Sequence, residues 1–597
     1  MKTLLLALTV LAGSAFAAET SKPNILLIYS DDHGWADLGM QGVDKDIRTP
    51  NLDALARDGV RFARGYVSAP QCVPSRAGVI TGRYQQKFGV EDNGKGPLPL
   101  EELTIAERLK PAGYVTGQIG KWHLAHVEGK KGDKKENRTS KEHLPNGQGF
   151  DEYWCGEIRQ FVASHDLQGK PFSDAPHLVK DERFRVDVQT EAALSFLDRR
   201  AADPGKPWFL YLAWFAPHVP LESPEPWFSK TPENLPLERR QALAMIAAMD
   251  DGLGRIRAKL KEMGEEKNTL IVFIGDNGAP TKEKAWDGSL NLPLIGEKGM
   301  LTDGGIRTPF VAAWPGTLPA GKVFDQPVIN LDVAATAVAA AGLPPDDKLD
   351  GVNLLPFLKG EKTTAPHETL FWRWRSQAAV LEFPWKLIRL GPTERFLFDV
   401  TTPDGETKNL ITQHPEIAER LEAKLKSWSD TLNPTGLPTE TVDADQSFFE
   451  DHGVLPKDAA APVAGPQGWQ VRNGELTTNN GALQIVAGND APFLTRNNLD
   501  LPGPVTATLR LRAKAGGKTT LAWRTDLQDN FATDDTAAFD WPNSSEWQEV
   551  QAVLPVKGKL IHLRIMLPKG SSGLEVQSIE LQGKDGKPQV WRFDSSR

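Results

Sequence analysis

Cys72-Val73-Pro74-Ser75-Arg76-Ala77-Gly78-Val79-Ile80-Thr81-Gly82-Arg83 is the stretch from which the rest of the chain is best approached. Taken alone, a cysteine is a small buried hydrophobe. In an exported chain with two cysteines, Cys72 and Cys155 can also pair as a disulfide. Around this stretch lie four strand-like runs, three of them apolar, that break off at polar residues. Asn24–Tyr29 ends in Ser30-Asp31-Asp32-His33-Gly34, and Gly113–Ile119 in Gly120-Lys121-Trp122-His123. Pro207–Phe215 ends in Ala216-Pro217-His218-Val219-Pro220, and Thr269–Ile274 in Gly275-Asp276-Asn277-Gly278. A buried strand that stops this way delivers its last residues to the carboxyl edge of a parallel sheet, where ligands bind in open α/β folds. Adjacent Asp31 and Asp32 would face opposite ways on a strand, but just past its end both can turn to one ion. Each tail also has an ordinary reading. Paired aspartates suit an N-cap or turn, Asp-Asn suits an Asx turn, and a lone histidine is most often a satisfied core residue.

The Cys72 stretch resembles the signature of the type I sulfatases. Cys-x-Pro-Ser-Arg, three residues, an aliphatic residue and Thr-Gly are matched at every fixed position. Gly120-Lys121-Trp122-His123, the Pro-His-x-Pro at Pro217–Pro220, and Glu297–Pro309 with its Lys298-Gly299 and Gly304-Gly305-x-Arg307-x-Pro309 extend the resemblance. Asp303 stands where many relatives carry Glu.

In that family the cysteine is oxidised to Cα-formylglycine by a formylglycine-generating or sulfatase-maturating enzyme. The hydrated aldehyde attacks sulfur, and its second hydroxyl then expels sulfate, so release is built into the nucleophile. The resemblance implies calcium held by the oxygen donors of Asp31, Asp32, Asp276, Asn277 and the modified Cys72. It places the modified cysteine at a helix N-terminus, which favours a bound anion. It implies catalytic roles for Cys72, Arg76, Lys121, His123, His218 and Lys298. Arg76 and Lys121 would favour the deprotonated nucleophile, with Asp276 helping to remove its proton. Lys121, Lys298 and calcium would stabilise charge on the sulfuryl oxygens. His218, with Lys298, would protonate the leaving sugar oxygen, and His123 would take the proton from the second hydroxyl.

The implied fold is α/β and alkaline-phosphatase-like: a mixed, mostly parallel sheet flanked by helices, then a small α+β C-terminal subdomain. With 597 residues the chain exceeds one ordinary core. The organisation read from it is a signal peptide at 1–17, a catalytic α/β domain at 23–365, a C-terminal subdomain at 366–453, an Ala/Pro/Gly-rich linker at 454–468 and an appended all-β sandwich at 469–597. The signal peptide is read from Lys2, the apolar Leu4–Leu11 and Ala15-Phe16-Ala17. It implies a periplasmic or secreted protein with no membrane anchor. Helices are expected at Glu101–Leu109, Val186–Arg199, Gln241–Met263 and Glu416–Leu432. Met245, Met249, Leu253, Ile256, Leu260 and Met263 form one core stripe of the third. Alternation at Val505–Arg512 and Ile561–Leu567 indicates antiparallel strands. If this sandwich binds glycan, Trp523, Trp541 and Trp547 must be exposed; otherwise it is a structural appendage.

The net charge of -9 argues against nucleic acid and leaves an anionic substrate to a local basic pocket. Loops, seventeen tryptophans and the added sandwich favour a sulfated carbohydrate as substrate over a small aryl or alkyl sulfate. Arg159, His165 and Asp166, in the period-free segment His126–Arg183, are the candidate sugar contacts, against the plain reading of a solvated loop. Two other readings stay open at this point: a phosphonate monoester hydrolase or phosphodiesterase of the same superfamily, and a non-catalytic sulfated-glycan binder with Cys72 unmodified.

Overall fold

The computed structural model of the chain describes residues 22–127, 138–282, 285–402, 405–455, 466–488, 492–497, 499–528, 531–532 and 534–593. The signal-peptide stretch and most of the 454–468 linker lie outside the described residues. The chain divides into two units, Met1–Lys457 and Asp458–Arg597.

The first unit is built on a ten-stranded sheet. Its strands are β1 (Asn24–Asp31), β2 (Val60–Phe62), β3 (Val115–Gly120), β4 (Glu152–Gly156), β5 (Gln160–Ala163), β6 (His177–Lys180), β7 (Trp208–Pro217), β8 (Thr269–Gly275), β9 (Phe310–Ala313) and β10 (Lys322–Phe324). They lie in the order β10-β2-β9-β8-β1-β7-β3-β4-β5-β6. The run β8-β1-β7-β3-β4 is parallel throughout. Every residue of β1, β7 and β8 is buried, which is why their central residues read as apolar runs.

Register places the functional edge. Tyr29 pairs with Ile274 on one side and Ala213 on the other, and Ala213 pairs with Gly120. Three strand ends therefore stop level, and Asp31, Asp276 and Lys121 emerge on one line. At Gly120 (φ 89°) the backbone is left-handed, and a Cβ there would meet the Ala213 carbonyl oxygen at 2.0 Å. Glycine lets the neighbouring strand approach at that point.

Helices α1 (Cys72–Thr81), α2 (Arg185–Ala202) and α3 (Leu237–Glu262) belong to this unit. Met245, Met249, Leu253, Ile256 and Leu260 are buried in the main core, with Met263 packed against it. The helix expected from Glu101 begins only at Ile105. Thr104 and Glu107 form a reciprocal capping box that fixes its start. A four-stranded antiparallel sheet (Leu370–Trp374, Gln377–Glu382, Trp385–Leu390, Glu394–Asp399) follows. Helix α4 (Pro415–Ser429) packs Ala418, Leu421 and Leu425 onto it. Helix α5 (Asp443–Asp451) comes last in this unit.

The second unit has two antiparallel sheets around one apolar core. Trp523 and Trp541 are buried in that core, because the alternation of their strands turns them inward. Trp547 is half-buried beneath the Arg512 guanidinium, 4.3 Å from its ring centroid. The condition for glycan binding through these tryptophans is therefore not met. Among the described residues no helix is long and apolar enough to cross a membrane.

Candidate active site

Helix α1 starts at Cys72 from an extended Gln71. Asn93 fixes that start: its Oδ1 accepts from Val73 N at 3.0 Å and its Nδ2 donates to Gln71 Oε1 at 2.6 Å. Cys72 is buried, and its thiol donates to Asp31 Oδ1 at 3.5 Å. Both cysteines are free, so the Cys72–Cys155 disulfide is not formed. Burial pushes the Cys72 thiol well above its ordinary value. As a thiol this group is thus a poor nucleophile.

Three carboxylates and three cations surround it. Lys121 Nζ donates to Asp31 Oδ2 at 2.6 Å. Arg76 Nη2 donates to Asp276 Oδ2 at 2.7 Å and lies 3.5 Å from Asp31 Oδ2. Lys298 Nζ donates to Asp32 Oδ2 at 2.7 Å. His218 Nε2 lies 3.6 Å from the same oxygen, while its Nδ1 is 2.7 Å from the Val219 carbonyl and its ring stacks on Phe215. Burial opposes ionisation of Asp31, yet Lys121, His218, Arg76 and Lys298 together hold its carboxyl well below the usual range. Burial and the charge of Asp31 push Asp276 up to about 7, against the pull of Arg76.

This arrangement fits a hard dication. Asp32 has left-handed backbone (φ 56°), and its N–H donates to Asp276 Oδ1 at 3.0 Å. Asn277 Nδ2 donates to Asp32 Oδ1 at 2.6 Å, which leaves Asn277 Oδ1 buried with no hydrogen-bond partner. An orphaned buried acceptor beside buried carboxylates is an oxygen-donor set waiting for a cation. Ligand atoms of Asp31, Asp32, Cys72 and His218 lie within 4.8 Å of one another.

The remaining sequence candidates divide. His123 follows Lys121 by two residues, half-buried and left-handed (φ 58°). Arg159 sits exposed in the turn between β4 and β5, at the carboxyl edge, 3.4 Å from Glu182. His165 and Asp166 do not join the site. Strand β5 is antiparallel to β4, and Ser164 N donates to Tyr153 O. The chain has therefore returned to the amino edge by His165, which shares a small cavity with Asp166, Glu152 and Arg199.

Several site residues carried no legible motif. Tyr211 OH accepts from Arg76 Nη1 at 3.4 Å. Asn330 Nδ2 donates to Tyr29 OH at 2.9 Å, and that hydroxyl meets Ser75 Oγ at 2.8 Å. Asp303, expected only as a variant position, is an anchor: Lys386 Nζ, fully buried, contacts Asp303 Oδ1 at 2.8 Å and Glu406 Oε1 at 2.7 Å. Distances of tens to hundreds of residues separate these partners, so no local sequence pattern marks their pairing.

Comparisons with known proteins agree on one family. A profile described as "Sulfatase" matches residues 23–343, and one described as "N-sulphoglucosamine sulphohydrolase, C-terminal" matches 296–431. N-acetylgalactosamine-6-sulfatase of Canis lupus familiaris is 32% identical over 382 residues, 59% of this chain and 69% of that protein. The crystal structure of Ps i-CgsB in complex with k-i-k-neocarrahexaose is 30% identical, with a TM-score of 0.60, over 73% of this chain and 98% of that one. A phosphonate monoester hydrolase of Agrobacterium radiobacter shares the fold at 23% identity and a TM-score of 0.51, over 69% of this chain and 96% of that one.

Proposed function

The chain belongs to the sulfatase family and is a sulfuric ester hydrolase, and from that premise we propose that it hydrolyses sulfate monoesters of a sulfated carbohydrate. The observation that carries this reading is Cys72 at the first position of α1, its sulfur 3.5 Å from Asp31 Oδ1, with Lys121 on the same carboxylate. The sugar class is supported by the relatives, one named for N-acetylgalactosamine-6-sulfate chemistry and one bound to a neocarrahexaose. The phosphonate monoester hydrolase matches in fold alone, whereas the relative at 32% identity is named as a sulfatase.

In this reading Asp31, Asp32, Asp276 and Asn277 hold calcium, which supplies Lewis-acid polarisation of the sulfate when bound. Cys72, oxidised to Cα-formylglycine by a maturating enzyme, supplies the nucleophilic oxygen. The chain's own groups do the rest. Arg76 and Lys121 are locked on Asp31 and Asp276, so their charges are oriented before substrate arrives. Lys298 faces the developing charge on sulfate from the Asp32 side. His218 Nδ1 lies on a backbone carbonyl, which directs Nε2 into the site to deliver a proton to the leaving oxygen. His123 accepts the proton that accompanies sulfate release. Arg159, at the carboxyl edge, remains a candidate sugar contact. Export is part of the proposal, from the Lys2–Ala17 pattern, and N-terminal sequencing of mature protein tests it.

The test is two measurements on protein from its native host. The mass of the tryptic peptide containing Cys72 should fit an aldehyde or its hydrate. Sulfate release should occur from sulfated oligosaccharides. An unmodified thiol puts the glycan-binding alternative first. Turnover of aryl sulfates alone, or of phosphonate esters in preference, overturns the carbohydrate reading.

A further inference from the structure

Helix α5 lies past residue 431, the last that either family profile covers. One side of it is anchored on the four-stranded sheet. Asp445 accepts from Ser376 Oγ at 2.5 Å and from its N–H at 3.2 Å, and buried Phe449 packs on Phe396 at 5.6 Å between centroids. Its far end reaches the loop between β8 and β9. Lys282 Nζ lies 3.9 Å from the Phe448 ring centroid and 3.5 Å from Asp451 Oδ2. His452, the next residue, places Nε2 3.0 Å from Glu297 Oε1.

Glu297 is buried and ties three points together. Its Oε2 accepts from the N–H groups of Thr281 (2.6 Å) and Lys282 (3.0 Å), while Oε1 is taken by His452. The next residue is Lys298, whose N–H donates to Ala279 O at 3.1 Å and whose Nζ reaches Asp32. Gly299 N then donates to Pro70 O at 2.9 Å, and a Cβ on Gly299 would touch Phe448 at 3.5 Å and Gln71 at 3.6 Å. The Glu297–Gly299 segment is therefore pinned between α5 and the residues that precede Cys72.

We propose that His452 is a positioning residue: it acts through Glu297 to hold Lys298 in register with the sulfate site. The inference rests on reading Lys298 as a sulfate contact. Without His452, Glu297 Oε1 is a buried acceptor lacking a donor, an arrangement that folded proteins avoid. The carboxylate then turns toward water and carries Lys298 with it. A displacement of about 1 Å at a catalytic group is enough for losses on the order of 10²-fold.

The test compares His452→Ala with His452→Gln, whose amide N–H can still donate to Glu297. In His452→Ala, kcat on a sulfate ester falls on the order of ten- to a hundred-fold, more than KM rises, and His452→Gln recovers most of it. Amide hydrogen exchange across residues 277–300 speeds up in the alanine variant and returns in the glutamine variant. That second readout needs no turnover, so a wild-type protein inactive on every sulfate ester would refute the functional reading and still leave the clamp testable. Wild-type kcat and exchange in His452→Ala overturn the inference. So do equal losses in both variants, or faster exchange throughout the unit, which mark general destabilisation.

Discussion

Replacing Lys121 by methionine removes one charge from the centre of the site at nearly constant volume. Lys121 Nζ is 2.6 Å and Arg76 Nη2 is 3.5 Å from the same Asp31 oxygen, and all three groups are buried. At an effective dielectric of about 20, the attraction is roughly 6 kcal/mol for the lysine and roughly 5 kcal/mol for the arginine. Removing one partner of a buried pair costs about 3–5 kcal/mol. Arg76 remains on the orphaned oxygen, so the lower end applies, about 3 kcal/mol in metal-free protein. A dication on Asp31 neutralises the same charge, so the difference between Lys121→Met and wild type should narrow in calcium. Activity should still fall on the order of 10²–10³-fold, because in the proposed reaction the lost ammonium is a preorganised charge facing sulfate. The assay is urea unfolding of the full chain in chelator and in calcium, alongside kcat on a sulfate ester. A metal-free difference below about 1 kcal/mol would refute the reasoning, since it would mean that Lys121 and Asp31 are not a desolvated pair. So would a difference that widens in calcium.

The orphaned Asn277 Oδ1 makes Asn277→Ala a test of the metal set: calcium affinity by calorimetry should drop by about tenfold or more, the equivalent of 1.4 kcal/mol, and an unchanged affinity would exclude it as a ligand. His367 Nε2 lies 2.8 Å from Asp332 Oδ1, and although burial disfavours the charged ring, Asp332 outweighs it and raises its affinity for the proton. The stability this contributes is fully present below the ordinary histidine value of about 6.5 and is lost as pH rises through the raised folded value; His367→Gln should therefore cost on the order of 1.5 kcal/mol at pH 6 and less at pH 9 by urea unfolding. His165→Ala and Asp166→Ala, on the amino edge of the sheet, should leave kcat/KM on a sulfated oligosaccharide unchanged, whereas a loss would return them to the substrate site.

The strands that carry the site were legible because burial on both faces leaves β7 and β8 almost wholly apolar until the chain leaves the sheet. Asp31, Lys121, His218 and Asp276 stand at or just past the carboxyl ends of these strands, although Ser30 precedes Asp31 and β3 itself carries Thr116 and Gln118. Sequence alone therefore assigned them to one edge, and parallel register made the ends of β8, β1 and β3 level. The core stripe of α3 was legible for a similar reason, since its period matches one helix face. The start of the Ile105 helix was not, because the capping box of Thr104 and Glu107 sets it four residues past the expected Glu101.

Strand direction was also beyond the sequence. Nothing in the residues before His165 says that β5 runs antiparallel to β4, yet that reversal moves His165 and Asp166 to the far edge. Tryptophan number likewise says nothing about orientation, and the inward turn of Trp523 and Trp541 follows from the two sheets closing on one core. The sequence determined which chemistry the chain carries, because reactive residue types and local periodicity are properties of short segments. Only the tertiary structure decided which charges neutralise one another, which acceptor is left for a cation, and that His452 reaches Glu297 across 155 residues of chain. Those pairings depend on burial and distance, and neither is encoded within any one segment.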